Sequence, residues 1–336
     1  VGGAATLAAG LAAGALVASA AATALPSLDP ASCQEAPAGA LPQTPRFPQA
    51  VASLLARSSP QSLMRRLEDF VAGAGRRHHR YADATRYVLA ELERPDRRRR
   101  FEVTRHPLRG FRGHADLQST VLVRLPGRQP GAPGVLLGAH LDTINDGPGA
   151  PEAPVPGADD DASGVATLLE IHGALQAGDQ RFERDVYLAF YAMEEVGLEG
   201  SGQLAQWFFE RRLALRGVLQ LDMTAYTTTP GRIVFISDWT TPALTRFTEL
   251  LARAYLAPPV EVEAARCRDG EPCSDHVSWC ARGYPTVFPF EAQPLESNPR
   301  AHTADDLPRY LDGAHAHAFL RLAAAFLVEL AEPTAP

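Results

Sequence analysis

The stretch Val135-Leu136-Leu137-Gly138-Ala139-His140-Leu141-Asp142 decides the architecture. Consecutive aliphatic residues read as a strand buried on both faces, and the run closes on an imidazole and a carboxylate. Working outward, Phe101 with Val103 and then Thr120–Leu125 have strand character. Residues 82–93 place Ala84, Val88 and Leu92 at i, i+4 and i+8, an amphipathic helix. Downstream, residues 162–176 follow an Asp-rich start suited to a helix N-terminus. Strands are expected at Val186–Ala192, Val218–Leu221, Ile233–Ile236 and Pro285–Phe290. Helices are expected at 200–213, 242–256 and 310–331. This alternation predicts a single α/β domain with a mostly parallel, mixed central sheet and helices on both faces.

Composition narrows the function. The chain has 336 residues, 46% of them hydrophobic, enough for a large buried core. Its formal net charge is −7, so there is no basic excess for nucleic acid or anionic lipid. All 32 basic residues are arginine; without lysine there is no P-loop, kinase or Schiff-base lysine. The runs Arg76–Arg80 and Arg97–Arg100 read as solvated surface. Neither G-x-S-x-G nor G-x-G-x-x-G occurs.

Residues 1–24 are Ala/Gly/Leu/Val-rich with A-x-A sites at Ala18-Ser19-Ala20 and Ala22-Thr23-Ala24, so they read as a secretory signal rather than a membrane anchor. Residues 25–60 carry seven prolines and read as a linker or propeptide, with the folded domain at 61–333. An extracellular or periplasmic location follows. Of the four cysteines, Cys267 and Cys273 stand six positions apart and can close a small loop in an oxidising compartment. Cys280 reads as a small buried thiol, and Cys33 falls in the linker.

The chemistry lies in where acids and histidines fall relative to strand ends. His140 and Asp142 follow one buried strand, Glu194 and Glu195 a second, and Asp222 a third. Ligands in open parallel sheets gather outside the carboxyl ends of the strands. Asp159-Asp160-Asp161 precede a helix, and His302 lies in the loop Asn298–Thr303. One acid at a strand end is usually a cap or turn residue. Five such groups at one rim need a compensating cation, and mixed imidazole and carboxylate ligands suit zinc. Two histidines and three carboxylates suffice for two metals sharing one carboxylate. Position alone leaves open which of the three aspartates bridges.

The blocks GAHLDT (138–143), PGADDDASG (156–164), AMEEVGLEGS (192–201), LQLDMT (219–224), CSDHVSW (273–279) and NPRAHT (298–303) resemble, in order, the signature blocks of the M28 zinc peptidases, closest to their secreted bacterial leucyl aminopeptidases. The resemblance covers roughly residues 60–333 and implies a zinc-dependent exopeptidase fold. It implies two Zn2+ per chain: His140 and Asp222 on one, Glu195 and His302 on the other, Asp160 bridging. Glu194 is implied as general acid/base, Asp142 as the residue orienting His140, and Cys267–Cys273 as a disulfide. Asp159 and Asp161 are expected to cap and to bond the loop. His172 is placed on a helix and His276 behind the site; His78, His79, His106, His114, His315 and His317 are expected at the surface.

The implied activity is removal of bulky hydrophobic residues from the N-termini of peptides or proteins, by a monomer. Met223, Ile236, Phe288 and Phe290 form the expected apolar wall for the substrate side chain. Two departures stand out. The disulfide loop Arg268–Pro272 lacks the family's tyrosine, and Pro294 and Ser297 stand where relatives carry aromatics. Glutaminyl cyclisation, carboxypeptidase action and a non-catalytic binding ectodomain are the alternatives; the last predicts missing ligands, and every ligand is present.

Overall fold

The computed structural model describes residues 33, 40–75, 82–94, 100–109, 119–150, 153–268 and 271–334. The signal-like segment, the arginine runs before Arg100, and His78, His79 and His114 lie outside them.

Eight strands form one sheet: β1 (Glu102–Pro107), β2 (Ser119–Leu125), β3 (Gly134–His140), β4 (Val186–Tyr191), β5 (Leu215–Gln220), β6 (Arg232–Ile236), β7 (Glu261–Ala265) and β8 (Thr286–Phe290). Their spatial order is β1-β2-β4-β3-β5-β8-β6-β7. The central four, β4-β3-β5-β8, run parallel, while β2 and β6 flank them antiparallel. The fold is therefore the mixed α/β architecture expected.

Strand residues alternate between two cores. Val135, Leu137, Ala139, Val186, Leu188 and Phe190 enter the larger one; Leu136, Tyr187, Ala189 and Tyr191 enter the other. Strands so buried on both sides show no polar alternation, which is why Val135–Leu137 reads as a continuous apolar run. Helices α1 (Pro48–Leu54), α2 (Pro60–Gly73), α3 (Ala82–Leu92), α4 (Ala162–Ala177), α6 (Pro242–Tyr255) and α8 (Gly313–Ala331) contribute to the larger core. Helices α5 (Glu199–Glu210) and α7 (His276–Cys280) contribute to smaller ones. Among the described residues α8 is the one helix long and apolar enough to cross a membrane, but here it is buried in the core. Gly138 allows the smaller core to close: a Cβ there would sit 2.2 Å from the Tyr191 hydroxyl, which accepts a hydrogen bond from Trp279 Nε1 at 2.8 Å.

Two expectations need correction. The stretch read as linker contains α1, whose Val51 and Leu54 are buried in the core. The proline count obscured this because Pro48 and Pro60 open helices, where the missing N–H costs nothing. The buried Glu329 carboxylate fastens the same segment, accepting the backbone N–H groups of Arg46 (2.7 Å) and Phe47 (2.9 Å). Second, Cys33 and Cys280 are not a linker residue and a free thiol but a disulfide spanning 247 residues, beside the expected Cys267–Cys273 bond.

Candidate active site

His140 ends β3, Glu194 and Glu195 follow β4, and Asp222 follows β5. These strands are adjacent and parallel, so their carboxyl ends share one edge. Asp160 arrives from the loop before α4. Its neighbour Asp161 caps that helix, accepting from Gly164 N at 2.9 Å, while its second oxygen accepts from His140 N at 2.9 Å. The helix start is thereby tied to the strand end. His302 comes from the loop after β8, and its carbonyl accepts from Asp146 N at 2.9 Å. Met193, Met223 and His302 all have left-handed φ, at 56°, 50° and 59°. Such backbone is uncommon for these residue types, and here it clusters where the site is built.

The side chains form two groups that share one carboxylate. His140 Nε2 lies 3.0 Å from Asp160 Oδ1 and 3.5 Å from Asp222 Oδ1. His302 Nε2 lies 3.1 Å from Asp160 Oδ2 and 3.0 Å from Glu195 Oε2. His140/Asp160/Asp222 and Asp160/Glu195/His302 each bring one ligand atom per residue within 4.8 Å of the others. Of the three neighbouring aspartates, Asp160 is the one whose two oxygens face both histidines.

The electrostatics call for positive charge. Burial alone would depress the His302 imidazole, but hydrogen bonds and charge from Asp160 and Glu195 push it up to about 12. Burial likewise opposes ionisation of Asp160, and its bonds to His140 and His302 hold it below the usual carboxylate range. Glu195 is pushed up to about 7, by burial first and then by Asp160. Burial also raises Glu194 well above the ordinary range; His140 opposes this, and Glu195, Asp275 and Asp222 add to it. Among the described residues no arginine pairs with Asp222, Glu194 or Glu195, and Glu195 Oε1 is buried without a partner. Crowded carboxylates, imidazole nitrogens and an orphaned oxygen fit a divalent metal site.

The supporting contacts were only partly expected. Asp142 Oδ1 and Oδ2 accept the backbone N–H groups of Glu194 (2.9 Å) and Glu195 (3.0 Å), locking the β4 end to the β3 end. His140 Nδ1 stands 3.2 Å from the Asp142 main-chain oxygen and 3.7 Å from its carboxylate, so the nearer hold on the ring is backbone. Asp159 bonds the loop as expected, accepting from Ala225 N (3.0 Å) and Asn298 Nδ2 (3.1 Å).

Ser274, Asp306 and Glu291 were not singled out in the sequence. Ser274 donates to Asp222 at 2.6 Å. Asp306 Oδ2 accepts from the backbone of Asp159 and Asp160, both at 3.1 Å. Glu291 accepts from Asn298 N and Tyr226 N, both at 2.9 Å. The only sequence signal for Ser274 was its place in the CSDHVSW block.

Ile236 and Phe288 pair across β6 and β8 and are buried with Leu198, Trp239 and the Cys33–Cys280 bond. Phe290 and Met223 are half-buried. His276 lies against the Phe288 ring, 4.8 Å between centroids. His315, expected at the surface, is 5% exposed because its turn of α8 faces inward.

The molecule is thus a mixed α/β protein with paired histidine–carboxylate metal-ligand groups at the carboxyl ends of its central strands. The sequence pattern of Peptidase family M28 matches residues 120–327, and the chain belongs to that family. A probable leucine aminopeptidase of Arthroderma benhamiae is 34% identical over 226 residues, 66% of this chain. That match spans 60% of the relative's own length. The crystal structure of the Legionella pneumophila LapA aminopeptidase superposes with a TM-score of 0.76 at 27% identity, covering 88% of this chain and 78% of that one. A glutaminyl cyclase from an Acidobacteriales bacterium shares the fold, with TM-score 0.63 at 19% identity over 87% of this chain and 96% of that one.

Proposed function

We propose that the protein is a secreted zinc aminopeptidase that removes N-terminal residues, with a preference for bulky hydrophobic ones. The observation that carries this reading is the division of Asp160 between His140 and His302, which suits a pair of ions rather than one. His140 and Asp222 would hold one zinc, Glu195 and His302 the other, and Asp160 both. Zinc supplies Lewis acidity and brings the pKa of water toward neutrality.

The chain's own residues do the rest. Glu194 stands beside His140 and Glu195 without being needed as a ligand. Its carboxylate takes the proton of the attacking water and delivers it to the departing amine nitrogen. Asp142, holding the backbone of both glutamates, fixes where that carboxylate sits. Met223 and Phe290, both half-buried, give the first side chain of the substrate an apolar seat; Ile236 and Phe288, expected in that wall, are buried in the core beside Phe290 and reach no substrate directly. The two disulfides favour an oxidising, extracellular setting.

The test is hydrolysis of leucine p-nitroanilide against its N-acetylated analogue and against an N-terminal glutaminyl peptide. Cleavage of the free-amine substrate alone supports the reading. Cyclisation of the glutaminyl peptide, or hydrolysis from the carboxyl end, would replace it.

A further inference from the structure

The segment from Cys273 to Cys280 is cross-linked at both ends, by Cys267–Cys273 and by Cys33–Cys280. Just inside the first bond is Ser274, which donates to Asp222 at 2.6 Å; then comes α7, all five of whose residues are buried. A helix of little more than one turn has almost no internal hydrogen bonding with which to hold itself. Its place is set from outside. Asp275 Oδ2 accepts from Gln220 Nε2 at 3.3 Å, and His276 Nε2 stands 3.2 Å from the Asp238 main-chain oxygen. Ser278 Oγ accepts from Ser201 Oγ at 2.8 Å, and Trp279 Nε1 donates to the Tyr191 hydroxyl. The covalent hold at the end away from Ser274 is Cys280.

Cys33 is itself fixed to the sheet. It is buried, and its carbonyl accepts from Thr241 Oγ1 at 2.8 Å. That hydroxyl in turn accepts from the N–H of Thr286, the first residue of β8, at 3.1 Å. Strand β8 pairs with β5, the strand that delivers Asp222. One end of α7 is therefore tied to the same strand pair whose carboxyl edge the other end of the segment meets at Asp222. Glu195 and His302 arrive from the end of β4 and from the loop after β8. Their side chains meet each other, and the second oxygen of Asp160 meets His302. Among the described residues no hydrogen bond or ion pair joins either of them to residues 273–280.

We propose that the Cys33–Cys280 disulfide is a positioning element of the metal site. It holds α7 so that the Ser274 hydroxyl stays on Asp222, and so sets the affinity for the ion shared by His140 and Asp222. The ion of Glu195 and His302 lies outside its reach. This inference rests on the two-ion reading given above, and it assigns the long cross-link a task at the site besides its constraint on the unfolded chain.

The test titrates Zn2+ into the metal-free protein against a chromogenic chelator. It compares the parent, Cys33→Ala/Cys280→Ala, Ser274→Ala and the three changes combined, each well below its own unfolding midpoint. In the disulfide variant one of the two zinc equivalents should weaken about 10-fold or more, the scale for losing a group that orients a ligand, and the other should not change. The combined variant should bind no more weakly than Ser274→Ala, because the disulfide acts through that hydroxyl. Equal weakening of both equivalents reports general loosening and overturns the proposal; so do unchanged affinity in the disulfide variant and additive losses in the combined one. Thr241→Val keeps the disulfide but removes the hydroxyl that seats Cys33, and it carries the test if the cysteine pair fails to fold. The same equivalent should weaken, and no change overturns the proposal. A parent that holds no zinc defeats the two-ion reading and this inference with it. A parent holding two ions beside an unaffected disulfide variant defeats this inference alone.

Discussion

Ser274 Oγ donates a 2.6 Å hydrogen bond to Asp222 Oδ2, and both residues are buried. The other oxygen, Oδ1, is the one turned to His140. The hydroxyl therefore selects which face of the carboxylate is presented. Ser274→Ala is expected to lower metal affinity about 10–100-fold, the usual cost of losing a group that orients a ligand. Competition with a chromogenic chelator measures this, with circular dichroism to check the fold. Unchanged affinity removes Ser274 from that role.

Glu194 and Glu195 are neighbours with the same side chain and different proposed work. Glu194→Gln keeps size and polarity but cannot accept a proton. Turnover of leucine p-nitroanilide should fall about 10²–10⁴-fold while zinc stays bound. Glu195→Gln should instead lose zinc. The reverse pattern, or near-normal turnover in Glu194→Gln, withdraws the assignment.

Elemental analysis of the purified protein should find about two zinc equivalents per chain. Dialysis against a strong chelator should abolish hydrolysis, and added Zn2+ should restore it. Full activity in chelator with no transition metal present contradicts the proposed chemistry.

The Cys33–Cys280 bond closes a loop of 247 residues, whereas Cys267–Cys273 closes one of six. In the chain-entropy account the longer loop constrains the unfolded chain more. Cys33→Ala/Cys280→Ala should cost about 2–5 kcal/mol, and more than Cys267→Ala/Cys273→Ala. Denaturant midpoints under non-reducing conditions give the comparison, and an equal or smaller loss for the long bond refutes it.

His315 is buried against Phe319, and its pKa falls to about 4. Burial is the largest cause; Arg232 adds to it, while Asp312 and the Glu291 backbone oppose it. Unfolded histidine titrates near about 6.5, so between roughly pH 6.5 and 4 the unfolded chain binds the proton and the folded one does not. Stability is full above that window and is lost as pH falls through it, at up to about 1.4 kcal/mol per pH unit from this group. His315→Gln should flatten that part of the curve in urea melts at pH 6.5, 5.5 and 4.5. An unaltered slope rules out the contribution.

Much of the fold was legible because its elements carry their burial as a local pattern. Helices α3, α4 and α6 and strands β3, β4 and β8 fall within a residue or so of their expected bounds. Helix α2 carries the same helical spacing in Leu63, Leu67 and Phe70, but the proline-rich sequence before it masks that signal. The edge strand β7 leaves no such signal, because none of its residues is fully buried and it has no apolar run to read.

The sequence by itself determined that acids and imidazoles end three buried strands, because strand length and apolar content are local properties of the chain. Only the tertiary structure decided how their side chains meet. Which of Asp159, Asp160 and Asp161 faces both histidines depends on how one loop turns beneath His302, a residue more than a hundred positions away. The bonds from Ser274 to Asp222, from Asp306 to the Asp160 backbone, and between Cys33 and Cys280 join residues separated by 52, 146 and 247 positions. Contacts over such distances leave no periodicity behind, since their partners become neighbours only when the parallel strands line up and carry their loops to one edge of the sheet.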